Sequence, residues 1–192
     1  MNSNIEIEAK VLLTEEQYDL IVNYLGLEKY RRYKQTNYYI DSKEQILRQN
    51  DLALRIREKD DFELTLKAPM SEGLLEKNQI ISWKDYEKYD HKNIFPTGEI
   101  KTFLETLGFN VSDLVILATL ETDRLRYDIE DATLCLDKSE YNGHVDYELE
   151  MEAPSMKIAE KLIAKVLKEV GIKEYSLNTL SKQTRALNSI GK

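Results

Sequence analysis

Like charges recur two residues apart in several segments of this chain, and this spacing constrains the fold more than any other feature. The sets are Glu6 and Glu8, Arg55 and Arg57, Arg124 and Arg126, and Glu148, Glu150 and Glu152. Residues at i and i+2 of a β-strand point to the same face, so each set would project from one face of its strand. In a flat sheet such charged faces would be left to solvent. If the sheet closes into a barrel, the same faces line a water-filled lumen.

The rest of the chain reads as strands with helices between them. Period-two alternation begins at Ile5, and further strands are predicted at 30–41, 52–59, 62–69, 74–82, 115–127, 132–141 and 144–153. Hairpin turns are expected at Asp60-Asp61 and at Asn142-Gly143. A helix is predicted after Thr14, because Thr14 followed by Glu16 and Gln17 resembles a capping box. Further helices are predicted at 84–108, interrupted near Pro96, and at 155–170 and 178–189. A short turn or helix is predicted at 42–50. We therefore predict an α+β fold in one domain over residues 1–192, with about eight mostly antiparallel strands and helices outside. If the sheet closes, it forms an eight-stranded antiparallel β-barrel, or tunnel, with surrounding helices.

One helix gives a sharper expectation about packing. Within 155–170, Ile158, Leu162, Val166 and Val170 are spaced to form one buried face.

Composition limits the classes of function. The chain has 192 residues and a formal net charge of −8, which argues against a general binder of nucleic-acid duplexes, although a cleft can carry the opposite sign to the whole molecule. Cys135 is the single cysteine, so an internal disulfide and a thiolate zinc cluster are excluded, and we expect it to be a small buried residue. No apolar run approaches the length of a membrane span. We expect a cytoplasmic protein that is a monomer or a homodimer and does not bind membranes.

The charged rows also indicate a ligand. Two carboxylates side by side repel each other unless a cation lies between them, and adjacent arginines favour a bound anion. Carboxylate oxygens suit Mg²⁺ or Mn²⁺ rather than soft metals, and arginines suit phosphate oxygens. Two alternatives stay open: the charged faces could be solvated outer surfaces, or the acidic and basic rows could neutralise each other across strands.

The order of several motifs resembles one known family. Glu6-Ile7-Glu8-Ala9-Lys10 resembles the ExExK signature that opens CYTH proteins, the triphosphate tunnel metalloenzymes. Segments similar to those of the family follow in the family's order over nearly the whole chain: QTNYYID at 35–41, LALRIR at 52–57, LTLK at 64–67, TDRLRY at 122–127, LDKSEYNG at 136–143, YELEME at 147–152 and SKQTRAL at 181–187. The chain is most similar to the compact bacterial members.

This resemblance implies roles for individual residues. The implied metal ligands are Glu6, Glu8, Glu148 and Glu150, with Asp137 and Glu152 as further candidates. The implied phosphate-binding residues are Lys10, Arg55, Arg57, Lys67, Arg124, Arg126, Lys182 and Arg185. Lys10, Lys67 and Glu150 are the candidate catalytic residues, and Glu76 is a further candidate carboxylate of the lumen.

The resemblance further implies divalent-metal-dependent hydrolysis of a triphosphate, either inorganic tripolyphosphate or an organic or nucleoside triphosphate. Mg²⁺ or Mn²⁺ would be the cofactor. Two alternatives are a class IV-type adenylate cyclase and a non-catalytic module that binds triphosphate or polyphosphate. The His-rich element typical of the cyclase branch does not precede ExExK here, which favours the hydrolase.

Overall fold

The computed structural model describes residues 2–71, 73–129 and 131–191, and within these ranges nine strands and six α-helices follow one another along the chain. The strands are β1 (Asn2–Glu6), β2 (Glu8–Leu13), β3 (Tyr33–Asp41), β4 (Ala53–Glu58), β5 (Phe62–Pro69), β6 (Leu74–Ile81), β7 (Val115–Ile129), β8 (Ala132–Tyr141) and β9 (His144–Glu152). The helices are α1 (Glu15–Tyr24), α2 (Ile46–Gln49), α3 (Trp83–Lys92), α4 (Glu99–Thr106), α5 (Met156–Glu169) and α6 (Lys182–Asn188). Short 3₁₀ turns lie at Leu27–Lys29 and Val111–Asp113.

All nine strands form one antiparallel sheet in the order β1-β6-β5-β4-β3-β7-β8-β9-β2. The two edge strands are consecutive in sequence: Glu6 of β1 lies opposite Leu74, whereas Glu8 of β2 lies opposite Glu152. Because Ile7 alone separates them, the two edges of the sheet meet, and the sheet curls into a nearly closed barrel. The predicted α+β barrel is confirmed.

The strand count differs from the predicted eight because the first predicted strand is divided at Ile7. The segment pairs with β6 before Ile7 and with β9 after it. The change occurs at Ile7, whose carbonyl accepts a hydrogen bond from the backbone N–H of Ala153 (3.0 Å), the residue that follows β9. The backbone of Glu6, just before this bend, also lies very close to Gly73. Gly73 has a φ of +77°, and a Cβ atom there would lie 2.4 Å from the carbonyl oxygen of Glu6, so only glycine fits.

The apolar faces of the strands point outwards, and five of the helices lie on the outside of the barrel. One core packs α1 and α5 against β2, β8 and β9, with Ile21, Leu149 and Ile163 fully buried. A second core packs α3 and α4 against β3 to β6, with Leu54, Leu64 and Ile100 fully buried. The outer faces thus provide the hydrophobic cores, which leaves the charged faces for the interior.

Local signals in the sequence account for most element boundaries. Thr14 forms the predicted capping box with Gln17, and Asn142 and Gly143 adopt positive φ in the β8–β9 turn. The predicted break in the helical region 84–108 falls between α3 and α4. None of the helices described here is long and apolar enough to cross a bilayer.

Two predictions about the C-terminal helices were wrong in detail. Ile158 is 42% exposed, because the buried face of α5 runs through Ala159, Leu162, Ile163 and Val166. The last helix begins at Lys182 rather than 178. Residues before it lie along β2 instead: Leu177 bridges to Val11, and the N–H of Asn178 donates to the carbonyl of Lys10 (2.7 Å).

Candidate functional site

The barrel encloses a cavity of about 460 Å³, a volume within the range of sites that bury small ligands. Most of the side chains predicted to form the site line it. These are Glu6, Glu8, Lys10, Arg55, Arg57, Lys67, Arg124, Glu150, Glu152 and Lys182. Residues from six strands and one helix therefore converge on a single space.

One wall of this cavity is basic and only partly balanced by carboxylates. On β4, the Nε of Arg57 makes a long hydrogen bond to the Oδ1 of Asn37 (3.4 Å), and Arg57 has no ion-pair partner among the described residues. Burial, followed by the charges of Arg55 and Arg124, lowers the pKa of Arg57 to about 10. The Nε of Arg55 is buried without a hydrogen-bond partner, and its Nη2 lies 3.8 Å from Glu76. These guanidinium groups have donors to spare for an anion.

Lys67 lies at the acidic side of this wall. Its ammonium contacts the carboxylate of Glu6 and lies 2.8 Å from Glu76, which faces it across the β5–β6 pair. Burial acts to raise the pKa of Glu76, but Lys67 and Arg55 outweigh it and hold that pKa below its ordinary value. Glu76 is thus a buried carboxylate beside the cavity rather than part of its lining.

The carboxylates of the first strands are crowded. Burial raises the pKa of Glu6; Lys67 opposes this shift, and the neighbouring charges of Glu8 and Glu76 add to it. Glu8 accepts a hydrogen bond from Lys10 (2.5 Å). Burial acts to lower the pKa of Lys10, but Glu8 and Glu150 raise it overall, so Lys10 stays protonated.

The far wall holds a dense network of ion pairs around Glu150. Arg124 makes two hydrogen bonds to Asp137 (2.7 and 2.6 Å) and one to Glu150 (2.5 Å). Lys182 lies 2.9 Å from Asp137, 2.7 Å from Glu148 and 2.5 Å from Glu150. Despite burial, Lys182 and Arg124 hold the pKa of Glu150 well below its ordinary value. Part of the predicted acidic row is therefore neutralised by predicted phosphate ligands.

Four predicted residues lie behind this wall or outside the cavity. Asp137 and Glu148 are fully buried beneath the lining, and Arg185 pairs with Glu148 (2.9 Å) and Asp146 (2.8 Å) rather than facing the cavity. Arg126 shares the face of Arg124 but lies beyond the lining; its side chain is 59% exposed and pairs with Asp128 (3.4 Å).

Helix α6 closes one end of the barrel. Its Ala186 and Leu187 are buried with Tyr39 and Leu120, two residues of the inward faces of β3 and β7. Ser181 caps the helix by accepting from the N–H of Thr184 (3.1 Å), and this start directs Lys182 into the cavity. The helix therefore acts as a plug that carries a cation.

The cavity offers oxygen ligands of the kind that Mg²⁺ and Mn²⁺ prefer. Glu6, Glu8, Glu150 and Glu152 line the cavity, and Asp51, which lies shortly before β4, is a further lining carboxylate. Within the described part of the chain, no group of three or more Asp, Glu, His or Cys side chains is already spaced to hold a metal ion. Burial raises the pKa of Glu6 in spite of Lys67, and the nearby carboxylates of Glu8 and Glu76 add to this shift, so a group of crowded oxygen donors is present that fits a hard cation.

Several polar lining residues were missed from the sequence. Gln35, Asn37 and Tyr39 alternate along β3, and Arg48 comes from the short helix α2. The two-residue alternation in QTNYY could have indicated Gln35, Asn37 and Tyr39, but these residues carry no charge, and only like charges were considered when the two-residue spacing was used to predict the site. Arg48 carries no such periodic signal.

This geometry agrees with comparisons to known proteins. The model of the CYTH domain matches residues 4–184. A Bacillus subtilis (strain 168) protein named "Putative triphosphatase YjbK" is 33% identical over 174 residues, which cover 90% of each chain.

Two solved structures share the fold over nearly their whole length. The crystal structure of a protein from Bacillus halodurans, described as a "putative adenylate cyclase", is 35% identical with a TM-score of 0.88, covering 96% of this chain and 98% of that one. HpAC1 from Hippeastrum, described as a "putative adenylyl cyclase" with a dominant triphosphatase activity, is 24% identical with a TM-score of 0.77 and covers 96% of both chains; at this identity the likeness is one of fold. With its ordered motifs, its barrel and a family match over nearly its whole length, this chain belongs to the CYTH domain family.

Proposed function

We propose that this protein hydrolyses a triphosphate inside its barrel with the help of a divalent metal ion. The observation that carries the proposal is the basic wall of Arg55 and Arg57, which lacks sufficient counter-charge and faces lining carboxylates across one enclosed cavity. A bound polyanion would relieve the repulsion among the arginines, and a bound cation would do the same for the carboxylates. The name of the Bacillus subtilis relative supports the same activity.

The basic residues would bind and orient the phosphate chain. Arg55 and Arg57 have free donors for phosphate oxygens, and charge-assisted bonds of this type are short and strong. The residues proposed to contact phosphate are Lys10, Arg55, Arg57, Lys67, Arg124 and Lys182, with Arg126 at the rim and Arg185 supporting from behind through Glu148. Holding the chain in line supplies much of the catalysis in phosphoryl transfer.

The carboxylates would hold the cation and position the attacking water. Triphosphatases of the CYTH family depend in general on a divalent metal ion, and here Mg²⁺ or Mn²⁺ would be held by Glu6, Glu8, Glu150 and Glu152, with Asp137 and Glu148 beneath them. When bound, the ion would neutralise charge on the transferring phosphoryl group. Glu150 is ionised at neutral pH, so it can accept a hydrogen bond from water, while Lys10, whose pKa is raised by Glu8 and Glu150, can stabilise developing negative charge together with Lys67.

The experiment is a turnover assay with tripolyphosphate and Mg²⁺ or Mn²⁺, in which orthophosphate and pyrophosphate are measured. We expect equal amounts of both products. The variant Arg57→Met is assayed beside the wild type. It should lower kcat/KM roughly tenfold to a hundredfold, since it removes a charge-assisted contact to phosphate worth ~1.5–3 kcal/mol. Binding without any turnover would show a non-catalytic module instead.

A cyclase is the second candidate, because the Bacillus halodurans relative is described as a putative adenylate cyclase. A cyclase must also recognise adenine. Among the described lining residues the one aromatic side chain is Tyr39, and it is only 2% exposed. This arrangement favours the hydrolase. ATP as substrate separates the two activities, since a cyclase releases cyclic nucleotide with pyrophosphate.

A further inference from the structure

The N-terminal half of β7 has a neighbouring strand on only one of its two edges. On one side, β3 pairs with β7 as far as Val115. On the other side, β8 pairs only as far as Glu121, which lies opposite Glu140, because the chain then turns into β9. Among the described residues, no strand pairs with the second edge of Val115–Leu120, hereafter called the open edge. Six extended residues span about 20 Å and present about three N–H and three C=O groups on that side.

The rest of the described chain leaves the open edge uncovered. A groove of about 540 Å³ lies along it, and the residues that line this groove belong only to β7, to the end of β8 and to the β8–β9 turn. Helix α6 contacts Ala118 and Leu120 inside the barrel, but none of its residues lines the groove. Thr119, between these two residues, is exposed. The backbone of the open edge is therefore accessible from outside.

The open edge lacks most of the features that keep a strand from pairing with another chain. Edge strands are commonly protected by proline, by lysine or another charged side chain, or by a β-bulge. A bulge is present at Leu117, where the register with β3 shifts between Tyr39 and Ile40. The sequence VILATL of the open edge, however, contains no proline and no charge. Its β-branched and apolar residues are typical of strands that are paired on both sides.

The charges at one end of the groove indicate the kind of strand that would pair there. Glu121 and Glu140 are both exposed and lie directly opposite each other, an arrangement that is destabilising. Lys138 lies 3.1 Å from Glu140, but among the described residues no cation pairs with Glu121. A second copy of β7 would not relieve this repulsion, because residues 113–123 contain acidic side chains and no basic ones. A basic segment of a different protein would.

We propose that the open edge binds an extended segment of another protein as an added antiparallel strand, with lysine or arginine at the N-terminal end of that segment. All strands of the sheet pair antiparallel, so the added strand would continue the line of β8 along β7. It would begin beside Glu121 and Glu140 and end beside Val115. Main-chain hydrogen bonds would supply affinity, and the basic residues would fix direction and register. This interaction is separate from the proposed hydrolysis and does not depend on it.

The test uses a fluorescently labelled peptide, KKTVTVTV, whose binding is measured by fluorescence anisotropy. The reversed peptide, TVTVTVKK, has the same composition but would place its lysines beside Val115. The double variant Glu121→Gln with Glu140→Gln removes the two facing carboxylates. The matched control, Glu87→Gln with Glu160→Gln, removes the same charge from exposed positions on α3 and α5.

We expect the wild type to bind KKTVTVTV roughly three- to tenfold more tightly than the reversed peptide, as expected for two exposed charge contacts. The Glu121 and Glu140 variant should lose this preference, and the control should keep it. Hydrogen exchange of the amides in residues 115–120 should slow when KKTVTVTV is bound, an effect that charge attraction without strand pairing would not produce.

Absence of binding to the wild type, equal affinity for the two peptides, or unchanged amide exchange would overturn the inference. So would protection of the same amides by dimerisation of the protein without peptide, which would assign the open edge to a second copy of the chain. Analytical ultracentrifugation of the wild type over a range of concentrations measures that alternative.

Discussion

The two arginines Arg57 and Arg124 should respond in opposite ways to the same substitution in the ligand-free protein. Arg57 lies in the cavity wall without an ion-pair partner among the described residues, whereas Arg124 is bonded to Asp137 and Glu150. Methionine at either position keeps much of the apolar stem and removes the charge. Comparing Arg57→Met with Arg124→Met therefore distinguishes an arginine that serves to bind an anion from one that stabilises the fold.

The magnitudes follow from the surroundings of each group. The pKa of Arg57, about 10, lies below the usual value of about 12.5, and the difference corresponds to a cost on the order of 3 kcal/mol for keeping that charge in the folded state. Part of this cost is recovered in Arg57→Met, so the free energy of unfolding should stay the same or rise by up to about 2 kcal/mol. Breaking a buried ion pair typically costs 3–5 kcal/mol. Because Lys182 still contacts Asp137 and Glu150, we expect about 3 kcal/mol of destabilisation for Arg124→Met.

Thermal melts of the wild type and both variants, with and without tripolyphosphate and Mg²⁺, measure these effects. At roughly 2–4 °C per kcal/mol for a chain of this size, Arg124→Met should lower Tm by about 6–12 °C without ligand. Arg57→Met should melt no lower than the wild type, but the ligand should raise its Tm much less. If Arg57→Met loses as much stability as Arg124→Met, the assignment of an uncompensated basic wall is wrong.

Three further perturbations test other parts of the site. Glu8→Gln should abolish turnover at every Mg²⁺ concentration while changing stability by less than about 1 kcal/mol, because it removes a crowded carboxylate; wild-type turnover at saturating Mg²⁺ would exclude Glu8 as a ligand. Lys182 and Arg185 lower the pKa of Glu148 in spite of its burial, so its contribution to stability is present above the unfolded value of about 4.5 and is lost as pH falls through the lower folded value; urea melts of Glu148→Gln should show a shallower acid limb than the wild type, and identical limbs would contradict this. Leu187→Ala should cost roughly 2–4 kcal/mol in urea unfolding if α6 is packed as a plug, and a loss below about 1 kcal/mol would show a loosely held helix.

The inward direction of the charged rows could be predicted from sequence, because it depends only on the two-residue period of a strand. Glu6, Glu8, Arg55, Arg57 and Arg124 all line the cavity for this reason. Their electrostatic partners could not be predicted in the same way. Which carboxylate meets which cation depends on register between strands that are far apart in sequence, as in the pairing of Arg124 with Asp137.

Local sequence patterns also could not predict where along a strand the cavity ends or where the last helix packs. Arg126 obeys the same period as Arg124, yet it lies beyond the cavity lining with its side chain 59% exposed, and the two-residue period alone does not say where along a strand the enclosed part ends. The plugging position of α6 depends on Leu187 packing against an inward-facing apolar patch that includes Leu120. No periodic pattern in α6 or in β7 predicts the contact between Leu187 and Leu120. Of the two alternatives that the sequence left open, neutralisation across strands occurs in the Arg124 network, whereas Arg57 lies in the cavity wall without an ion-pair partner among the described residues.

The division of the first strand at Ile7 has a consequence for how the chain reaches its native state. β1 pairs with β6, and β2 pairs with β9, which lies near the other end of the chain. These are contacts of large sequence separation, which slow folding because loop-closure entropy is lost before the contacts form. During synthesis, the segment that joins both edges of the sheet is made before β9, so its second half cannot pair until β9 is available. The barrel therefore closes as one of the last events of folding, and until then two hydrogen-bonding edges remain open to association with other chains.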